Sequence, residues 1–147
     1  MPENTVASVT ADITSSFNTY IAELKQAQPV WETKPAAGEG ETAWSAREVA
    51  GHIAGAGAFF AAGIAGAVGV QPPAMQQFQL ASAGEAVTAT EGSHGSLMAV
   101  VAQIKDAQLA QEIDHPRLGK QTVGGLLGVV SYHLKDHANQ LKTLRGA

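Results

Sequence analysis

Apolar side chains return every three or four residues along most of this chain, which is the repeat of an amphipathic helix. Val6, Val9, Ile13, Phe17, Ile21 and Leu24 keep that step, with Asp12, Ser16, Asn18, Glu23 and Lys25 on the other face. The spacing predicts a first helix that runs to about Ala27 and stops before Pro29. Residues 28–42 then read as a connector broken by Pro29, Pro35, Gly38 and Gly40. The same step recurs in Leu97, Val101, Ile104 and Ala107, and again in Val123, Leu126, Val130, His133, His137, Gln140 and Leu144. Alanine, the strongest helix former, supplies 27 of the 147 residues, while aromatic residues make up only 5%. Period and composition agree on an all-α fold.

The segment boundaries predict a four-helix bundle in a single domain, residues 1–147. Helix two has the clearest start: Ser45-Ala46-Arg47-Glu48 fits a capping box, with Trp44 and Val49 at the positions of a hydrophobic staple. It should extend to about Val68, before Gly69 and the Pro72-Pro73 break. Residues 70–92 read as a longer crossover connection between helices two and three, with room for a short helical turn around Met75 to Leu80. Helix three is expected over Ser93 to Ile113, where His115-Pro116 interrupts it. Thr122 can cap a fourth helix reaching about Arg145, with Lys142 and Arg145 near the negative end of its dipole.

Nine Lys plus Arg stand against thirteen Asp plus Glu, a formal charge of −4, and no basic cluster appears. On that ground nucleic acid is not expected as a partner. Val49 to Val70 is the most apolar stretch, but it contains His52 and is built of Ala and Gly rather than Leu, Ile and Val. A buried helix is therefore expected there, with no membrane partner. Met1-Pro2-Glu3-Asn4 carries no positive charge ahead of an apolar run, so a secretory signal is not expected there. The absence of cysteine excludes disulfides, thiolate metal sites and a cysteine nucleophile, and accords with a cytoplasmic location. Any metal must then be held by His, Asp, Glu or water.

Of the five histidines, three fall on predicted inward seams. His133 and His137, one turn apart on helix four, point the same way and can converge on one ion. On helix two the series Val49, His52, Ala56, Phe59 and Gly63 turns His52 inward as well. An HxxxH pair alone is a weak signal, since a single inward histidine is more often a hydrogen-bonded core residue. Three buried imidazoles without a metal would each need a separate partner, so one divalent ion is the more economical reading. His94 and His115 lie beside Gly or Pro at predicted helix ends and are expected to be solvated.

The run Trp44-Ser45-Ala46-Arg47-Glu48-Val49-Ala50-Gly51-His52-Ile53 resembles the second-helix motif of DinB-like (YfiT-like) proteins. Thr122-Val123-Gly124-Gly125-Leu126-Leu127, followed by His133-Leu134-Lys135-Asp136-His137-Ala138-Asn139-Gln140-Leu141, resembles the fourth-helix motif of the same family. The resemblance implies a four-helix bundle, often a homodimer, with nickel or zinc held by three histidines. By motif position those ligands are His52, His133 and His137. The family includes enzymes that conjugate or isomerise substrates with a low-molecular-weight thiol, beside members with no known reaction. The Gly- and Ala-rich second helix and the middle connector depart from the pattern, so pocket walls and substrate preference belong to this chain.

The leading expectation is a metal-dependent enzyme acting on a small-molecule substrate, in which the ion activates water or a low-molecular-weight thiol cosubstrate. Without cysteine in the chain, that thiol comes from outside. No carboxylate is securely placed as a base. Glu48 is accounted for by the capping box; Asp136 reads as a solvated surface residue or as support for a ligand. Tyr132 should point off the seam, to a packing or interface role. The alternative is a non-catalytic metal- or ligand-binding bundle acting as a dimeric interaction or stress-related protein. In that reading the small residues Gly51, Gly55, Ala58, Ala62 and Ala65 form either an interface or a loosely packed core face.

Overall fold

A computed structural model describes residues 5–35, 38–74 and 80–146. The first helix, α1 (Val6–Lys25), begins at a reciprocal cap in which Thr5 accepts the Ser8 backbone N–H at 3.0 Å while Ser8 accepts the Thr5 N–H. A third N-terminal donor, the Val6 N–H, is satisfied by the Asp106 carboxylate at 2.8 Å, which favours the positive end of the helix dipole. Helix α2 (Ala46–Val68) starts at the expected capping box of Ser45 and Glu48 and ends on Gly69, whose φ of 76° is the left-handed conformation that glycine adopts most readily. Thr122 caps α4 (Val123–Leu144) through the Gly125 N–H at 2.9 Å, also as the sequence indicates.

Helix three differs. α3 spans Ala83–Val101, starting about ten residues before the expected Ser93. Its cap is Ser82, which accepts the Glu85 N–H at 3.2 Å. The buried face there is Ala83, Ala86, Thr90 and Ser93, too small and too polar to register as a hydrophobic repeat. The connection from α2 is correspondingly shorter than 70–92. The expected turn around Met75 to Leu80 falls mostly on 75–79, outside the described residues.

The segment expected to complete helix three instead leaves the helix after Val101. It makes a 3-10 turn at Asp106–Ala110 and enters an antiparallel hairpin of β1 (Glu112–His115) and β2 (Gly119–Thr122), with Glu112 opposite Thr122 and His115 opposite Gly119. The His115 ring accepts the N–H groups of Arg117 and Leu118, and Gly119 supplies a φ of 74°, so the turn has its own local support. Ile104 and Leu109 remain buried, but through the turn rather than a helical face. Gly124 lets the turn pack closely on α4: a Cβ at that position would stand 3.2 Å from the Leu109 carbonyl oxygen, a tight contact.

Helix α1 packs on α4 and α3, and α2 packs on α3 and α4, so α1 and α2 lie diagonally across the bundle. The connector from α1 to α2 therefore joins helices that are not neighbours. The common core takes Ile13, Leu24, Val49, Ile64, Leu97, Leu126 and Leu141 from the four helices. α2 is long and apolar enough to cross a membrane by length and composition, yet Val49, Ile53, Phe60 and Ile64 are buried within the bundle. Its seam is rotated from the expected one, because Phe59 is 52% exposed while Phe60 is buried. An almost wholly apolar helix leaves the rotational phase undetermined until it packs.

One buried group has no partner. Tyr20 is fully enclosed and its hydroxyl makes no hydrogen bond among the described residues, while burial raises the phenol well above its ordinary range. Tyr20→Phe is expected to raise unfolding stability by about 1 kcal/mol, because it removes a desolvated hydroxyl while keeping the ring. Urea titration checks this: the midpoint should rise at unchanged slope, and a lower midpoint would mean the hydroxyl has a partner.

Candidate metal centre

The capping box that starts α2 fixes where His52 emerges, just under two turns into the helix. On α4 the i, i+4 spacing places His133 and His137 one turn apart on the same face. Because α2 packs against α4, the three rings meet. His133 Nε2 lies 2.9 Å from His52 Nε2 and 3.1 Å from His137 Nε2. All three sequence-expected residues are thus brought together, although only His137 is fully buried; His52 retains 27% side-chain exposure and His133 is half-buried.

Two residues to which the sequence reading gave no part in the site complete the cluster: Glu41, which it did not single out, and Gln140, which it placed only on the helix-four seam. Glu41, in the 3-10 turn Gly40–Ala43 of the connector, places Oε1 3.4 Å from His52 Nε2 and 3.9 Å from His137 Nε2. Gln140 accepts from His137 Nδ1 at 2.7 Å and donates its amide to the Glu41 carbonyl. Trp44 covers the side of the site, its ring 5.0 Å from His52 and stacked over His137 at 6.3 Å. Glu41 has no helical period to reveal it; its only sequence signal is its place three residues before Trp44. Gln140 continues the inward seam, so its presence there is the legible hint.

The hydrogen bonds settle the tautomer of His137. The Gln140 amide nitrogen is committed to Glu41, so its oxygen faces Nδ1, and that ring nitrogen carries the proton. His137 Nε2 is then a lone pair in the neutral ring. His133 Nε2 holds one proton or one lone pair yet faces two other Nε2 atoms. A single proton serves one contact and leaves the other with none between its nitrogens. A cation shared by the three rings would resolve the conflict. Two nitrogens about 2.1 Å from a common ion lie about 3.0 Å apart at a right angle and about 3.4 Å apart at a tetrahedral one. The observed separations match the former, and the ligating atoms of His52, His133, His137 and Glu41 all fall within 4.8 Å of one another.

Electrostatics favour the neutral, ligating form. Burial, reinforced by the neighbouring His137 and His52, lowers the His133 pKa from 6.5 to about 4. Burial and His137 also lower that of His52. His133 and His52 thus resist protons, which leaves their lone pairs available to a metal.

The remaining candidates are placed elsewhere. Glu48 receives the Ser45 backbone N–H and pairs with Lys34 at 3.2 Å, which fits the capping role. Asp136 is exposed, and Tyr132, 69% exposed, points off the seam. His94 and His115, expected to be solvated at helix ends, are neither. His94 sits mid-α3, half-buried and stacked face to face on Phe17 at 3.7 Å, and His115 ends β1 against Phe59 and Phe60. The earlier start of α3 and the hairpin account for both.

The DinB superfamily profile matches residues 12–141. Among solved structures, TT2238, a four-helix bundle protein, is 24% identical, with a TM-score of 0.69 over 97% of this chain and 100% of its own. YfiT from Bacillus subtilis, described as a probable metal-dependent hydrolase with an unusual four-helix bundle topology, is 19% identical, with a TM-score of 0.69 over 92% of this chain and 85% of its own. The colibactin self-resistance protein ClbS, solved in complex with a dsDNA, is 14% identical, with a TM-score of 0.72 over 100% of this chain and 98% of its own. No curated protein sequence matches the chain. The ClbS complex corrects the expectation drawn from charge that nucleic acid is no partner. That expectation rested on net charge and on the lack of a basic cluster along the sequence, neither of which reports where a fold gathers its cations, and ClbS is a protein of this fold that was solved on DNA.

Proposed function

The chain belongs to the DinB superfamily, and from that premise we propose that it is a metal-dependent enzyme in which His52, His133 and His137 hold a divalent ion, nickel or zinc. The observation that carries the reading is the convergence of three Nε2 atoms with too few protons between them. A bound divalent ion supplies Lewis acidity that makes a water or an external low-molecular-weight thiol nucleophilic near neutral pH. His137, buried and locked in one tautomer by Gln140, is the rigid ligand of the three. Glu41 faces the same nitrogens from the connector, and its carboxylate is the group assigned to take the proton from that water or thiol. The Trp44 ring keeps bulk water from that side. The description of YfiT supports hydrolysis as the first reaction to try; the absence of cysteine makes any thiol a cosubstrate.

The test is metal analysis of protein purified without a histidine tag, followed by trial hydrolysis of esters and amides and trial reaction of small thiols with electrophiles. One nickel or zinc per chain, with turnover abolished by chelation, is the expected result. Stoichiometric metal without either turnover would favour a binding protein. No metal above trace after loading would overturn the reading. Gln140→Ala should weaken metal affinity roughly tenfold, because His137 loses the acceptor that orients it. Calorimetric titration with nickel chloride checks this, and unchanged affinity would deny Gln140 that part.

A further inference from the structure

The tip of the β1–β2 hairpin lies over the α2 face that carries His52. Phe59 follows His52 by two turns on that face, about 10 Å along the helix axis. The His115 ring packs edge-on to Phe59 and against the face of Phe60, each at 5.6 Å. The same ring accepts the N–H groups of Arg117 and Leu118 at 3.0 and 3.1 Å, and the Gln121 amide donates to the Leu118 carbonyl at 3.1 Å. The tip is thereby closed on itself and seated on α2. Between it and His52 the helix presents Gly55 and Ala56, and a Cβ at Gly55 would meet nothing within 4 Å, so the floor there is open. Arg117 stands exposed at the tip, and its guanidinium makes no ion pair among the described residues. It is near enough to His52 to add its repulsion to burial and His137 in disfavouring the charged ring, against the opposite pull of Glu41.

We propose that Arg117 is a substrate-binding residue, and that the substrate carries an oxyanion, a carboxylate or a phosphate, spaced from its reacting group so that the molecule spans the open floor at Gly55 and Ala56. The proposal rests on the metal-dependent reading, because the ion holds the other end of that molecule. A divalent ion, neutral imidazoles and the single Glu41 carboxylate make a centre of net positive charge. An unpaired guanidinium beside it repels the ion, and an oxyanion bound between them turns both interactions attractive. The planar fork of arginine takes two oxygens of such a group at once, which fixes direction as well as charge. Phe59, 52% exposed, supplies an apolar flank at the same end of the floor. Because the tip is pinned through His115, the backbone that carries the anchor is already in place before the ligand arrives.

The experiment first titrates nickel chloride into the metal-free protein by calorimetry. The nickel-loaded protein is then titrated with straight-chain hydroxamates that end in a methyl, a carboxylate or a phosphonate, each with two or three methylene groups between the ends. The hydroxamate occupies the ion in every case, so differences in affinity report the far end. An anionic end should tighten binding about five- to tenfold over the methyl end. Arg117→Gln should abolish that preference while leaving the methyl-ended probe and nickel itself within twofold of wild type, and Arg117→Lys should keep part of it. Whichever of carboxylate and phosphonate gains more identifies the oxyanion. No preference in wild type, a preference that survives Arg117→Gln, or an equal loss for all three probes would each overturn the proposal. If nickel does not bind, the metal-dependent reading falls and this proposal with it. If nickel binds but no preference depends on Arg117, this proposal alone falls.

Discussion

His133→Ala is expected to lower affinity for nickel or zinc by more than about a hundredfold. His133 is the shared neighbour of the cluster, with the other two Nε2 atoms at 2.9 and 3.1 Å, so its removal leaves no pair of imidazoles in the observed close contact. Loss of a direct ligand should exceed the cost of disturbing a residue that only orients one, which is why the effect is set above that of Gln140→Ala. Isothermal titration of the metal-free variants measures it. His115→Ala serves as control, since that ring contacts Phe59 and Phe60 instead. Unaltered affinity in His133→Ala would remove the three-histidine site from consideration.

Acid should destabilise the metal-free protein strongly and over a defined window. The folded-state pKa of His133, about 4, lies below its ordinary 6.5. Between those values the unfolded chain binds more protons than the folded one, so stability rises with pH there. The neutral ring's contribution is complete above about pH 7 and disappears as pH falls through 6.5 toward 4. A full shift of that size corresponds to about 3 kcal/mol, of which solvent screening at the half-buried His133 leaves on the order of 1–2 kcal/mol, and His52 and His94, also lowered, act with the same sign. Urea unfolding at a series of pH values should show this slope, and His133→Ala should flatten it. A variant whose acid slope equals that of wild type would contradict the assignment. Bound metal should steepen the loss in acid, because protons then compete with the ion for the same nitrogens.

Much of the frame was legible because its signals are local. The α4 seam is written in Val123, Leu126, Val130, His133 and His137, and the Ser45–Glu48 box marks the α2 start within one turn. Where side chains are small, the signal fails. Ala83, Ala86, Thr90 and Ser93 bury a helix face without a hydrophobic repeat, so the start of α3 was read about ten residues late. The hairpin was concealed by Ile104 and Ala107, whose spacing mimics a helix; in the fold Ile104 is buried and Ala107 is exposed. Misplacing those two elements is also what made His94 and His115 look like solvated helix ends.

By itself, then, the sequence determined the helical class, the helix-four seam, and the type of chemistry open to the chain: imidazole and carboxylate ligands, with any thiol brought from outside. A repeat reports which residues share a face. It does not report how far a helix is rotated or slid against its neighbours. The phase of α2, which buries Phe60 and exposes Phe59, was decided by packing. So were the meeting of His52 with His133, 81 residues apart, the bond from Gln140 to Glu41, 99 apart, and the seating of His94 on Phe17. Such contacts depend on the axial and rotational fit of several helices at once, and that fit is settled only when the whole core closes.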